Sequence, residues 1–425
     1  MSFYSSLLNK IKKKNAKIAI VGLGYVGLPL ALEFSKTNFK VVCLDIDREK
    51  IKLLNNSKSY INHISSDLLK INKKNLTFTH DFSYLKETQI IILCLPTPIT
   101  SKLIPDLSHI KDALKSIKKN LVAGQIIILE SSTYPGSTKK VIAEKLKEFQ
   151  IGKNFFLGYS PEREDPNNKK YNIKTIPKIC SGYSKKCLNI TVCLYQNIIK
   201  NIIKVSNIET AEFVKLYENV YRSVNVALVN ELKILSNQLN LDIYEIIKAA
   251  KTKPFGFQAF YPGPGVGGHC IPVDPYYLSW IAKKNNIKTT LIDNAGKINS
   301  YMPRWTAKKI LENKMLKKVL IIGVAYKKNV DDTRESPAID LMSILIKKGI
   351  NVDYYDPYVR KLKSKKINKI YYSIKILDKK LKKYDCSVII TNHTSIDYEI
   401  IRKNSKFVVD TRNTYKIKNN NIMKV

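Results

Sequence analysis

The sequence is defined first by what it lacks. No apolar run approaches the roughly 18 residues needed to span a bilayer, so no membrane helix is expected. The opening MSFYSSLLNKIKKKN lacks the charged-then-apolar order of a secretory signal, which points to a cytoplasmic protein. The seven cysteines (Cys43, Cys94, Cys180, Cys187, Cys193, Cys270 and Cys386) are odd in number and form no CxxC pair. That argues against a disulfide framework or a zinc site, and no metal is expected. Arginine is the scarce cation, present only at 48, 163, 222, 304, 334, 360, 402 and 412, so lysine supplies most of a formal net charge of +38. Such a charge alone suggests nucleic acid or an anionic membrane. Arginine, however, is the better bidentate ligand for phosphate and base edges, and the lysines are spread along the chain among Ile and Asn. A generally basic surface follows, one that attracts a small doubly charged anion, with neither a specific nucleic-acid site nor a membrane as partner. A nucleic-acid-binding or regulatory protein remains the remote alternative, and the salt sensitivity of any DNA binding would test it.

At 425 residues the chain is long enough for two or three domains, and with 44% hydrophobic residues each can bury a core. KIAIVG at 17–22 is a short β-branched run ending in glycine, and a helical pattern continues over 28–36. FKVVCLDID at 39–47, QIIILCLPTP at 89–98, GQIIILESST at 124–133 and FFLGYSPER at 155–163 add strand signals, as in a doubly wound parallel sheet. From 208 to 250 the pattern becomes helical without proline or glycine, which predicts one long helix broken near Asn240. Phe213, Leu216, Val220, Val224 and Leu228 stand at helical spacing on it, an apolar face for interdomain packing or a dimer interface. Alternation resumes with KKVLIIGVAYK at 317–327, a helix through SPAIDLMSILIKKG, INVDYYDP at 350–357, CSVIITNH at 386–393 and KFVVDTRN at 406–413. The expected fold is therefore α/β, with two Rossmann-like domains at 1–205 and 306–425 joined by a helical middle at 206–305.

Several motifs can carry chemistry. Gly22-Leu23-Gly24-Tyr25-Val26-Gly27 closes a strand and opens a helix, and Asp45 ends the next strand 18 residues after Gly27. The glycines permit a tight turn and close approach of backbone to a pyrophosphate, while Asp45 accepts from the adenosine ribose and repels a 2′-phosphate. NAD is favoured over NADP. Lys50 is either near that ribose or solvated. In GPGVGGHCIPVDPYYL, glycines at 263, 265, 267 and 268 lead up to Cys270, where they would keep side chains away and admit backbone donors and a bulky ligand. Beside an NAD site, such a thiol suggests covalent capture of an aldehyde, hydride loss and a thioester. His269 adjoins the cysteine, but neighbours in extended chain point apart. Lys215 and Asn219, at i and i+4, can present an ammonium and an amide to an oxyanion, although Lys215 by periodicity alone reads as solvated. Pro96-Thr97-Pro98, Ser132-Thr133 and Ser160-Pro161-Glu162-Arg163 follow strands, where ligands bind in a parallel sheet. A two-electron NAD dehydrogenase would share the first half but needs no thiol.

Together GLGYVGLPLA, SSTYPGST, SPER, KLYEN, GGHCIPVDP and DDTRES resemble, in order and over essentially the whole chain, the UDP-glucose/GDP-mannose dehydrogenase family of nucleotide-sugar 6-dehydrogenases. GPGVGGHCIPVDPYYL and SPEREDP look most like the branch oxidising UDP-N-acetylglucosamine for surface polysaccharides, with UDP-N-acetylmannosamine and UDP-glucose as alternatives. The resemblance implies that Cys270 is the nucleophile and that Lys215 and Asn219 stabilise oxyanions. Asp274 would act with Thr133 on water, and Glu162 would assist thioester hydrolysis. Gly22, Gly24, Tyr25, Val26, Gly27, Asp45, Lys50, Thr97, Thr133 and Arg334 would contact NAD. Glu162, Arg163, Lys215, Asn219, Gly265, Gly268 and Lys327 would contact the UDP-sugar. The last domain, which has Gly323-Val324-Ala325-Tyr326 in place of GxGxxG, would hold UDP, and a homodimer would form through the long helix. One departure stands out: Asn167-Asn168 replaces a glycine usual after SPEREDP, ahead of Lys169 and Lys170.

Overall fold

The computed structural model describes residues 1–61, 64–164, 171–312, 316–375, 381–416 and 419–425. The Asn167-Asn168 departure, with Lys169 and Lys170, lies outside the described residues. The chain divides into two compact units, Met1–Glu218 with Tyr276–Ile287, and Asn219–Pro275 with Lys288–Val425.

The first unit is built on eight strands: β1 Ile18–Val21, β2 Val41–Leu44, β3 Leu76–Thr79, β4 Ile90–Leu93, β5 Ile126–Leu129, β6 Phe156–Tyr159, β7 Lys178–Gly182 and β8 Ile202–Lys204. Their order across the sheet is β3-β2-β1-β4-β5-β6-β7-β8. IAIV, VVCL, IIIL, IIIL and FLGY are buried at every position, as expected of parallel strands with both faces covered. The order reverses between β1 and β4, which makes the mouth between them the topological switch point. One junction departs from the parallel plan: β6 and β7 run antiparallel, with Gly158 opposite Gly182. A Cβ on Gly158 would lie 2.4 Å from Thr191 Oγ1 and one on Gly182 2.2 Å from Leu188 N, so a helix sits directly on that junction.

The second unit carries β9 Lys318–Ile322, β10 Asn351–Tyr355, the two-stranded ribbon β11 Lys361–Leu362 with β12 Tyr371–Tyr372, then β13 Cys386–Ile389, β14 Val408–Asp410 and β15 Ile422–Lys424. The five-stranded sheet β10-β9-β13-β14-β15 is parallel throughout. Along β9, Val319 and Ile321 enter one core and Leu320 and Ile322 another, the two-residue alternation of a strand covered on both faces.

The helix Ile208–Gln238 runs for 31 residues and a second helix follows at Ile243–Ala250. The break falls at the expected place: Asn240 takes a left-handed φ of +55° and Asp242 caps the next helix through the amide of Tyr244. The expected apolar face is not one face. Leu216 and Val220 are buried, whereas Phe213 and Leu228 are exposed together with Tyr217, Tyr221, Leu232, Leu235 and Leu239. An apolar stripe therefore runs along the solvent side of this helix. Among the described residues no helix is long and apolar enough to cross a membrane.

Candidate active site

Gly22 leaves β1 with φ +93°, a left-handed value, and a Cβ there would come within 2.5 Å of the Cys94 carbonyl oxygen. Gly27 begins the helix Gly27–Lys36, where a Cβ would lie 1.9 Å from the carbonyl oxygen of Gly22. Around Gly24 a Cβ would meet nothing within 4 Å, which leaves that stretch of backbone open to a ligand. Tyr25 packs against the core, and Val26 at the N-cap supplies no side-chain cap to the helix. Asp45, at the end of β2, accepts the Leu23 amide at 2.9 Å and the Asp47 amide at 3.0 Å. Lys50 Nζ stands 3.8 Å from the carboxylates of both Asp45 and Asp47, so it is a member of this cluster. A tight turn, an uncapped helix start and a carboxylate one strand away fit the pyrophosphate and ribose of a dinucleotide.

The carboxyl ends of β4, β5 and β6 bring Thr97, Thr133 and Glu162 to the same edge of the sheet as Gly22 and Asp45, because these strands run parallel. Thr97 is buried and its carbonyl accepts from the hydroxyl of Tyr277 at 2.9 Å. Thr133 donates to Glu212 Oε1 at 3.3 Å. Glu212 also receives the Gly136 amide at 2.5 Å, Ser137 Oγ at 2.9 Å, and the Thr138 amide and hydroxyl at 2.9 and 2.6 Å. Burial pushes the Glu212 carboxyl above its ordinary range, against the pull of those donors. Losing a buried partner of this kind costs on the order of 1–3 kcal/mol, so Glu212 anchors the loop on which Thr133 sits.

Glu162 Oε1 accepts the amides of Arg163 at 2.7 Å and Glu164 at 2.6 Å, and Oε2 accepts from Lys178 Nζ at 2.9 Å. Burial acts to raise its pKa, but Lys178, the amides and Lys215 outweigh burial and hold it below the carboxylate range. Lys215 is thus half-buried and electrostatically engaged, where periodicity alone read it as solvated. Arg163 is committed to its own unit: Nη2 meets Glu218 Oε1 at 2.6 Å and Nη1 donates to the Pro177 carbonyl at 2.7 Å.

In the second unit the glycine-rich loop uses its glycines on protein rather than on open space. A Cβ would lie 2.5 Å from Arg412 Nη1 at Gly263, 2.9 Å from Pro337 Cβ at Gly265, 2.7 Å from Tyr326 Cβ at Gly267 and 2.8 Å from Tyr326 Cε2 at Gly268. Gly268 also donates its amide to the Arg334 carbonyl at 2.9 Å. These glycines let the loop lie flat against Tyr326 and Pro337. Cys270 is half-buried, and its carbonyl accepts the amides of Val273 at 3.1 Å and Asp274 at 2.8 Å, the turn that starts helix Asp274–Lys284. Asp274 Oδ2 accepts Asn219 Nδ2 at 2.6 Å, both residues being buried. His269 is pushed down to about 4, first by burial and then by the neighbouring Arg334 charge. It is neutral at pH 7 and offers no imidazolium to a thiolate. Arg334 is held by Asp332 in a bidentate pair, Nε to Oδ1 at 3.0 Å and Nη2 to Oδ2 at 2.6 Å, and Lys327 is half-buried after β9.

The second sheet repeats the Asp45 device. Asp356, after β10, accepts the amides of Val324 at 2.8 Å and Ala325 at 3.0 Å through Oδ2, and those of Tyr358 and Val359 at 2.8 and 3.1 Å through Oδ1, with His393 Nε2 3.1 Å from Oδ2. Both of its oxygens are thus filled by the protein.

A parallel sheet with an NAD cradle at its switch point defines the class, an NAD-linked oxidoreductase. The UDP-glucose/GDP-mannose dehydrogenase family matches this chain in three stretches, its NAD binding domain at residues 16–199, its central domain at 209–301 and its UDP binding domain at 320–417. The chain belongs to that family and is an NAD-dependent UDP-sugar dehydrogenase. A UDP-N-acetyl-D-mannosamine dehydrogenase of Pyrococcus horikoshii is 35% identical over 419 residues, covering 94% of this chain and 96% of the relative. A UDP-N-acetyl-D-glucosamine 6-dehydrogenase of Pseudomonas aeruginosa is 37% identical over 358 residues, covering 81% and 84%. The solved structure of the Pyrococcus horikoshii UDP-N-acetylmannosamine dehydrogenase superposes with a TM-score of 0.85 at 34% identity, over 96% of this chain and 98% of that one.

Sequence reasoning missed Glu130, Lys178, Tyr195 and Glu212. Two carried a signal: Glu130 directly follows the wholly apolar strand IIIL, and Glu212 shares the helix face of buried Leu216 and Val220 at i+4 and i+8. A carboxylate in such a place requires partners.

Proposed function

We propose that the chain oxidises the 6-hydroxyl of UDP-N-acetylglucosamine to a carboxylate, a four-electron reaction that consumes two NAD and one water and gives the uronic acid used in surface polysaccharides. The observation that carries this reading is the buried Asn219–Asp274 pair at the head of the turn begun by Cys270. That turn carries the thiol at its first residue and the carboxylate at its last, in a family that binds NAD and UDP. In this reading 1–205 holds NAD, 206–305 carries the thiol and 306–425 holds UDP. Gly22, Gly24, Tyr25, Val26, Gly27, Asp45, Lys50, Thr97, Thr133 and Arg334 hold NAD, which supplies the hydride acceptor for both oxidations. The Cys270 thiolate adds to C6 of the aldehyde, and Lys215 and Asn219 stabilise the oxyanion of the thiohemiacetal. Loss of hydride leaves a thioester on sulfur. Asp274 and Thr133 order the attacking water, Glu162 takes its proton, and Cys270 departs as thiolate. Arg163, Gly265, Gly268 and Lys327 contribute to holding the UDP-sugar. Because the thiol must stay reduced, the cytoplasm is the compartment that suits it.

The mannosamine epimer is the second reading, favoured by the Pyrococcus horikoshii relative, whose match covers 94% of this chain. NADH formation against a panel of UDP-sugars, with product masses, separates the two. The expected result is two NADH per sugar and a product 14 mass units heavier, on the order of one CH₂OH converted to COOH. One NADH per sugar would mean a two-electron enzyme and end the thioester scheme.

The solvent-side stripe of the long helix, Tyr217, Tyr221, Leu228, Leu232 and Leu235, supports a homodimer built through that helix. Sedimentation should give twice the 48.6 kDa chain mass, and Leu232→Glu should give the chain mass. A monomeric wild-type protein at micromolar concentration would remove this assembly.

A further inference from the structure

A lysine and a second carboxylate are buried beside Glu162. Glu130, just past β5, has 0% of its side chain exposed, and Lys178, the first residue of β7, has 4%. Lys178 Nζ lies 2.8 Å from Glu130 Oε2 and 2.9 Å from Glu162 Oε2, and 5.1 Å from the centre of the Tyr195 ring. The Tyr195 hydroxyl donates to the other oxygen of Glu130. Two carboxylates thus share one ammonium away from water. Replacing a buried ionic cluster by apolar side chains is often neutral or stabilising, so the cluster is weak evidence for a purely structural part.

The trio is asymmetric. Glu162 has both oxygens pinned, one by two amides and the other by Lys178, and it faces the additional charge of Lys215. Glu130 instead takes side-chain donors, Lys178 on one oxygen and Tyr195 on the other. Burial pushes Glu130 up to about 7, opposed by Lys178 and reinforced by Glu162, whereas Glu162 is held low. A proton entering this buried group therefore settles on Glu130 and leaves Glu162 charged. The other titratable groups facing the trio are Cys94 and Cys180, thiols that burial pushes up and keeps neutral. Arg163, next to Glu162, is occupied by Glu218.

We propose that Lys178, anchored from behind by Glu130, is a positioning residue that fixes the orientation and the charge of Glu162 during turnover. This rests on the reading of Glu162 as the group that takes the proton of the hydrolytic water. A general base must be both aimed and ionised, and a carboxylate in a buried place without a counter-charge would fail the second condition. Lys178 supplies both. Glu130 keeps the ammonium in place without competing for the water.

The test is the pH profile of kcat for NADH formation with the UDP-sugar that the enzyme turns over, read together with KM and thermal unfolding. In Lys178→Met the acid limb should move up by about 1–3 pH units, the size of shift an adjacent opposite charge produces, with KM for the sugar changed little. Lys178→Arg should return the limb toward wild type, which a packing role would not do. If Lys178→Met does not fold, Lys178→Met/Glu130→Gln, which removes one charge of each sign, carries the same readout. Glu162→Gln separates the two ideas. A Glu162→Gln enzyme with wild-type rate and limb removes the reading of Glu162. A Glu162→Gln enzyme that is slow, beside a folded Lys178→Met enzyme whose limb has not moved, overturns the role of Lys178 alone.

Discussion

Serine in place of Cys270 stops uronic acid formation, with kcat lowered on the order of 10³-fold or more, as for loss of a covalent nucleophile, while UDP-sugar binding is kept. The substitution is structurally small. The loop is set by Gly267 and Gly268 against Tyr326 and by the Gly268 amide on the Arg334 carbonyl. The turn after it is set by the Cys270 carbonyl, which accepts from Val273 and Asp274. These backbone contacts do not depend on the γ atom of residue 270, so the loop should keep its place. What is lost is chemistry. A thiol ionises near neutral pH and leaves readily from a thioester, whereas a serine hydroxyl does neither without a base. His269 is a weak base for that purpose, since burial and the Arg334 charge push it down to about 4. Product analysis by mass, beside a UDP-sugar titration, gives the result directly. A Cys270→Ser enzyme making acid at close to the wild-type rate would sink the covalent scheme.

Much of the framework was legible because parallel strands buried on both faces must be continuous apolar runs. IAIV, VVCL, IIIL and IIIL are such runs, and IAIV leads into a helix opened by Gly27. The ends of that sheet were not legible. β7 begins with a lysine and β8 is half-exposed IIK, so neither looks like a core strand, and the antiparallel β6–β7 junction depends on packing at Gly158 and Gly182. The long helix shows a different limit. It is apolar on two sides, and spacing alone cannot say that Leu216 and Val220 turn inward while Tyr217, Tyr221 and Leu232 face out. At the site, Cys270 and Asp274 announced themselves through a loop crowded with glycine. Lys178 did not, since its partners stand 16 and 48 residues away and no local pattern links them. What spacing could not show is what packs on the glycines, since a Cβ there would meet Tyr326, Pro337 or Arg412, residues far along the chain.

Gly27→Val costs both the fold of the NAD domain and its ligand. Gly27 has no left-handed φ, so conformational freedom is not why it is glycine. Space is the reason: a Cβ would sit 1.9 Å from the Gly22 carbonyl oxygen, with Ile20 Cγ2 at 3.2 Å. Neither neighbour can yield, because Gly22 is itself fixed beneath the Cys94 carbonyl and Ile20 lies in β1 at 0% exposure. The helix Gly27–Lys36 must move off the sheet, a change of the overpacking kind that costs about 1–3 kcal/mol or more. Moving it also withdraws the helix N-terminus from the pyrophosphate. Gly24→Ala supplies the contrast. Its Cβ meets nothing within 4 Å, so the fold should be unaffected, and any loss of NAD affinity then reports the ligand's own approach to that backbone. Thermal unfolding and NAD titration of the two variants together decide the matter. Gly27→Val should lose stability and NAD binding together, and Gly24→Ala only NAD binding. If Gly27→Val unfolds like wild type and binds NAD unchanged, this helix start is not the dinucleotide cradle.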